Sequence, residues 1–211
     1  MNLTLSQTNH NYYHQRTNAQ GVLINSGMVN IFNPLVDLQD KQFKSASWYR
    51  NAASLIADKA TSGKLMRDGK LLGKPSAGRM AMFVYDPKTK QKLPFYDTFP
   101  LVLPIDTFRG GFIGLNFHYL PYGVRYKLLD QLQQFSTNDK FDQSTRLQVT
   151  YNAVKNIGLI KPAIKKYLWR YCRSNFLRVD VDEMAIAIYL PVAQFQKASI
   201  GQVFADSRRK I

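Results

Sequence analysis

The chain has 211 residues, 45% of them apolar and 13% aromatic, with 29 lysines and arginines against 14 acidic residues for a formal net charge of +15. That much apolar material excludes wholesale disorder and fits one domain with an appendage, or two small ones. There is no run of about 18 uncharged apolar residues to form a membrane span, and the single cysteine, Cys172, excludes an intrachain disulfide framework and a cysteine-built zinc site.

Residues 1–36 are polar and asparagine-rich, lack the pattern of a signal peptide, and present no regular element. Tyr12, Tyr13, Val22, Ile24, Ile31 and Phe32 are interspersed there, which suits an extended arm that orders against a neighbouring subunit. Residues 37–60 read as a helix, with Leu38, Phe43, Trp48, Ala52, Leu55 and Ile56 at helical spacing and Ser45 or Ser47 as the cap. Residues 61–78 read as a basic linker, punctuated by glycines and charged by Lys64, Arg67, Lys70 and Lys74.

From residue 79 the period changes. Residues 80–85, 99–105 and 112–119 read as strands, separated by the Asp86-Pro87 turn and by Gly110-Gly111. From residue 120 the period returns to 3.6. Pro121 opens a helix whose stripe is Val124, Leu128, Leu129 and Leu132. Residues 146–157 and 162–174 read as further helices, residues 176–181 as a short strand, Asp182 as a helix cap, and 191–209 as one or two terminal helices. The expected fold is α+β: a small, strongly curved, barrel-like antiparallel β unit packed with several helices. The core domain is expected over 79–211, behind the arm, the helix and the linker.

The 162–174 segment carries the most chemistry. On a helical wheel Ile160, Ile164, Tyr167, Leu168 and Tyr171 share one arc, while Lys161, Lys165, Lys166, Arg170 and Arg173 spread opposite with Trp169 among them. A basic face interrupted by an aromatic suits phosphates and a stacked base, and Arg208, Arg209 and Lys210 would add to the same field. The bland alternative is a solvated face with Trp169 packed against a neighbour. Residues 141–211 hold 12 basic and 5 acidic side chains, so the positive charge concentrates in this third of the chain.

Other constellations are weaker. His10 and His14 have a metal-ligand spacing but no third ligand nearby. His118 reads as a satisfied, partly buried histidine. Asp180, Asp182 and Glu183 form an acidic cluster better suited to a helix start than to a two-metal site. Cys172 lies among cations that would lower its pKa, without an identifiable partner histidine. No catalytic residue, metal site or cofactor is assigned, and no phosphate-binding loop or nucleophile elbow occurs.

Residues 78–102, with the run Lys-Leu-Pro-Phe-Tyr-Asp-Thr-Phe-Pro-Leu-Val, and residues 111–121, Gly-Phe-Ile-Gly-Leu-Asn-Phe-His-Tyr-Leu-Pro, resemble a family of tailed-bacteriophage structural proteins. These are the DNA end protector proteins related to that of the T-even phages. The likeness continues through Lys-Pro-Ala-Ile-Lys-Lys-Tyr-Leu at 161–168 and covers roughly residues 46–207, leaving 1–36 outside. The resemblance implies a non-enzymatic virion protein, made in the host cytoplasm, that binds packaged DNA ends and shields them from exonuclease. No site residues come with it. The implied partners are a double-stranded DNA end and other virion proteins, with 1–36 as a docking arm, and neither a membrane nor a small-molecule substrate. The alternative is an architectural neck, tail or baseplate component making only protein contacts.

Overall fold

The structure is a computed structural model that describes residues 16–17, 23–24, 45–76, 78–136, 154–180 and 183–211. Within 1–36, β1 (Arg16–Thr17) and β2 (Leu23–Ile24) pair antiparallel, where the sequence suggests no regular element.

Helix α1 spans Ala46–Ile56, and the hydroxyl of Ser45 caps it by accepting from the Trp48 N–H at 3.2 Å. It buries Ala52, Ala53 and Ile56. The expected start of this helix at residue 37 lies outside the described residues. The stretch read as a linker is structured instead. Helix α2 (Ser62–Asp68) is capped by Thr61 and buries Leu65, and β3 (Leu71–Leu72) follows it. Glycine and lysine masked two apolar anchors there: Leu65 is buried and Leu72 half-buried.

The main sheet has six strands in the order β3, β9 (Phe176–Arg178), β4 (Ala81–Met82), β6 (Leu101–Phe108), β7 (Gly111–Asn116) and β8 (Ile164–Leu168), all pairs antiparallel. It is open: β3 and β8 are its two edges and do not meet, so the barrel-like expectation gives way to an open sheet. The β6–β7 hairpin turns at Arg109-Gly110, where Gly110 has φ of 96°, a region glycine enters without steric cost. A separate two-stranded sheet pairs β5 (Tyr96–Asp97) with β10 (Phe195–Gln196).

Both faces of the main sheet are apolar. Leu101, Leu103, Ile105, Leu115 and Leu177 face the larger core, which also takes in residues of α1, α3 (Tyr122–Ser136) and α4 (Met184–Ala187). Ala81, Phe83, Val102, Phe112, Tyr167 and Phe176 face a smaller, aromatic core. In α3 the stripe holds as read, with Leu128, Leu129 and Leu132 buried behind Pro121. The chain closes with α5 (Ile200–Lys210), which begins in a capping box between Ser199 and Gln202. The terminal region 191–209 is therefore strand β10 followed by one helix. The helix expected over 146–157 and the cap at Asp182 lie largely or wholly outside the described residues, as do His10 and His14.

Candidate nucleic-acid interface

Residues 162–174 do not form a helix. They form edge strand β8, followed by a 3-10 turn over Trp169–Tyr171. Five ladder pairs to β7, from Gly111↔Leu168 to Leu115↔Ile164, fix this conformation. In a strand successive side chains point to opposite faces. Lys165 therefore sides with Tyr167 on the aromatic-core face, and Lys166 sides with Ile164 and Leu168 on the other. One basic helical face becomes cations distributed around a strand.

Two basic groups result, one at each end of β8. The first lies at its start. Lys161 is exposed, and Lys165 is half-buried with its Nζ 3.8 Å from the centre of the Tyr119 ring. The last turn of α5 comes to the same place. Ser207 donates its hydroxyl hydrogen to the Tyr119 carbonyl, and Lys210 lies near enough to Lys165 to repel its charge. Arg208 and Arg209 of that turn are exposed, at the helix end where cations are favoured. Burial, reinforced by Lys210, pushes the Lys165 ammonium down to about 8. Among the described residues no carboxylate lies within ion-pairing distance of Lys165; Asp206 is engaged by Lys210.

Tyr119 is the hub of this corner. Phe195 meets it edge-on at 5.1 Å, and Phe95 lies tilted at 5.8 Å. Both phenylalanines are half-buried. Neither they nor Tyr119 were singled out from the sequence. The signal was there, in Leu-Pro-Phe-Tyr-Asp-Thr and in Asn-Phe-His-Tyr-Leu, but only the fold brings the two runs together.

The second group lies at the far end of β8, where the Trp169 N–H donates to the Gly110 carbonyl at 3.0 Å. Arg170 is exposed there. Arg173 donates to Asp86 Oδ2 at 3.3 Å. Trp169 stacks on Phe112 at 4.8 Å and is half-buried in the aromatic core. At about 3.3 Å per residue, β8 holds the two groups on the order of 13 Å apart.

Beneath the corner lies a fully buried polar cluster. Asp97 accepts from the Phe99 N–H (3.0 Å), the Gln194 N–H (3.2 Å), Asn116 Nδ2 (3.2 Å) and His118 Nδ1 (2.8 Å). Burial opposes ionisation of Asp97, but His118 and the hydrogen bonds outweigh it and hold the carboxyl below its ordinary range. Burial pushes the His118 imidazole down, against the pull of Asp97. His118 sits in a 3-10 turn, Phe117–Tyr119, and is wholly rather than partly buried. Arg125 is also buried and donates to the carbonyls of Leu120, Ile188 and His118 at 2.7, 2.7 and 3.2 Å. This cluster ties β5, the turn, α3 and the segment after α4 into one support for Tyr119.

The remaining sequence candidates resolve as structure. Burial pushes the Cys172 thiol up to about 11, so the expected lowering by nearby cations does not occur. Asp180 pairs with Arg178, and the Glu183 carboxylate accepts from the Asp180 N–H at 2.9 Å. Among the described residues no cluster of metal-ligating side chains forms.

The model of the family described as Phage T4 terminal DNA protecting protein matches residues 2–209. The chain belongs to that family. No curated protein and no solved structure matches it. The terminal DNA protecting family match takes in residues 2–36, which lie outside the resemblance read from the sequence. The aromatic hub and the basic residues other than Lys210 also fall within the matched span.

Proposed function

We propose that this chain is a non-enzymatic virion protein that caps the end of packaged double-stranded DNA, and that it does so by sequence-independent contacts to phosphates. The observation that supports this reading is the basic corner at the start of β8, where Lys165 rests on the Tyr119 ring beside Lys210 of α5, with exposed Lys161 just before the strand and exposed Arg208 and Arg209 in the same last turn of α5. The family's name, a terminal DNA protecting protein, supplies the class of ligand. Arg170 and Arg173 extend the contact to the far end of β8, and Lys166 to its other face. Phosphate contacts position a protein without reading sequence, which suits an end of any sequence. Trp169, stacked on Phe112, supports the wall of this surface and offers its remaining exposed part to the DNA.

Two observations favour binding over catalysis. The one thiol is held protonated by burial, and the His118–Asp97 pair is sealed in the interior. The docking of residues 1–36 onto other virion proteins belongs to the same reading. Such an arm adds buried area between subunits, at the cost of ordering it on assembly.

The test is binding of the purified protein to linear and covalently closed duplex DNA across a salt series, with an exonuclease protection assay on the linear form. Steeply salt-dependent binding that prefers the linear form and blocks the exonuclease is the expected result. Absence of binding near ~0.1 M salt would reject the DNA role and leave the basic surface as a contact with acidic virion proteins.

A further inference from the structure

We propose that the corner formed by Lys165, Lys210 and the Tyr119 hub takes the terminal phosphate monoester of a DNA strand, with the adjoining nucleotide against the aromatic group. This deepens the DNA-end reading and rests on it. A general basic surface explains attraction to any duplex, whereas this corner has features that distinguish a strand terminus from its interior.

The first feature is a cation without a carboxylate partner among the described residues. Lys165 lies on an edge strand, opposite Gly114 of β7, and its ammonium rests on the Tyr119 ring at 3.8 Å. The charged groups that face it are Lys210 and Asp206 of α5, and those two pair with each other. The Tyr119 hydroxyl is pushed up by burial and stays neutral. Asp206 attracts Lys165 without forming an ion pair with it, and burial and Lys210 outweigh that pull, so Lys165 has given up part of its hydration with no carboxylate in contact and a second cation beside it. An anion of higher charge compensates such a site best.

The second feature is geometric. An internal phosphodiester carries one charge and is flanked by sugars on both sides. A terminal monoester carries up to two charges and presents three free oxygens. A half-buried ammonium is within reach of the strand end, whereas a phosphate in mid-strand is held off by its neighbours. Phe95 and Phe195, half-buried around the same Tyr119, add aromatic surface for an unstacked terminal base.

The two charges also set a pH window. The second ionisation of the monoester falls near ~6. Burial and Lys210 leave the free Lys165 titrating at about 8. Discrimination in favour of a phosphorylated end is therefore strongest between those values and declines on either side.

The test uses the full chain and short blunt duplexes bearing a 5′-phosphate, a 3′-phosphate or hydroxyls at both termini, with a hairpin-capped duplex that has no open end. Wild-type protein is expected to bind one phosphorylated end about tenfold more tightly than the hydroxyl end, and the 5′ and 3′ arms tell which. Lys165→Met is expected to abolish that preference, lowering affinity for the phosphorylated end about tenfold more than affinity for the hydroxyl and capped duplexes. Lys165→Arg, which retains the charge, should keep part of it. Equal affinity for phosphorylated and hydroxyl ends, with open ends still preferred to capped ones, overturns this inference and leaves the DNA-end reading standing. Equal affinity for open and capped duplexes overturns both. A Lys165→Met protein that keeps the preference overturns the assignment to Lys165.

Discussion

The buried pair His118 and Asp97 makes the stability of this protein depend on pH on the acid side. The Nδ1–H of His118 donates to Asp97, and its Nε2 finds no partner among the described residues. A second proton on that ring would be buried without an acceptor, in line with the lowered imidazole pKa. In the unfolded chain the imidazole titrates near ~6.5. Above that value neither state binds the proton, and the fold keeps its full stability. Below it the unfolded state takes up a proton that the folded state refuses, so stability falls as pH falls. One such proton gives a slope of at most about 1.4 kcal/mol per pH unit. Asp97, also held low, adds to the loss only at more acidic pH. Urea midpoints measured between neutrality and mildly acid pH are expected to drop for wild type, with a shallower dependence for His118→Asn. A wild-type midpoint that stays flat across that range would show that the imidazole has an outlet for its second proton.

Strand β8 shows which parts of the fold were legible in the sequence. Ile160, Ile164, Tyr167, Leu168 and Tyr171 satisfy a helical arc, yet Ile164, Tyr167 and Leu168 lie in an edge strand whose one buried side chain is Tyr167, and Ile160 and Tyr171 lie in the 3-10 turns on either side. The choice is made by β7, whose glycines let the strands close together. A Cβ at Gly111 would lie 2.1 Å from the Tyr167 carbonyl oxygen, and one at Gly114 would lie 2.2 Å from Val102 Cγ1. A single stretch of sequence cannot reveal that its neighbour lacks side chains. The helices α1 and α3 were legible because their apolar stripes and caps, Ser45 and Pro121, are local. The basic residues were legible as a set, but their division between two ends of a strand was not. Gly111→Ala is expected to destabilise the protein by about 3 kcal/mol, because backbone must move to admit the methyl group. Gly123→Ala in α3, with open space at its Cβ, is expected to stabilise it by about 0.5 kcal/mol. Thermal melts of the two variants separate a steric demand in the β7–β8 ladder from a general intolerance of substitution.

At the scale of the whole molecule, the charge of +15 attracts any polyanion, so the useful question is which cations touch it. Duplex DNA carries one charge per about 1.7 Å of its axis, so one duplex laid along β8 meets both basic groups. Removing a single phosphate-binding cation should then lower the magnitude of the slope of log affinity against log salt by about 0.9. Arg208→Ala with Arg209→Ala removes two exposed cations from the last turn of α5, for an expected change of up to about 1.8. Arg170→Ala removes one at the far end, for about 0.9. Arg173→Ala should change it less, because Arg173 already pairs with Asp86. Changes that add when the variants are combined place both groups on one duplex. A slope altered by the corner variants alone confines the footprint to the α5 side, with Arg170 and Arg173 left to contacts with other proteins of the particle.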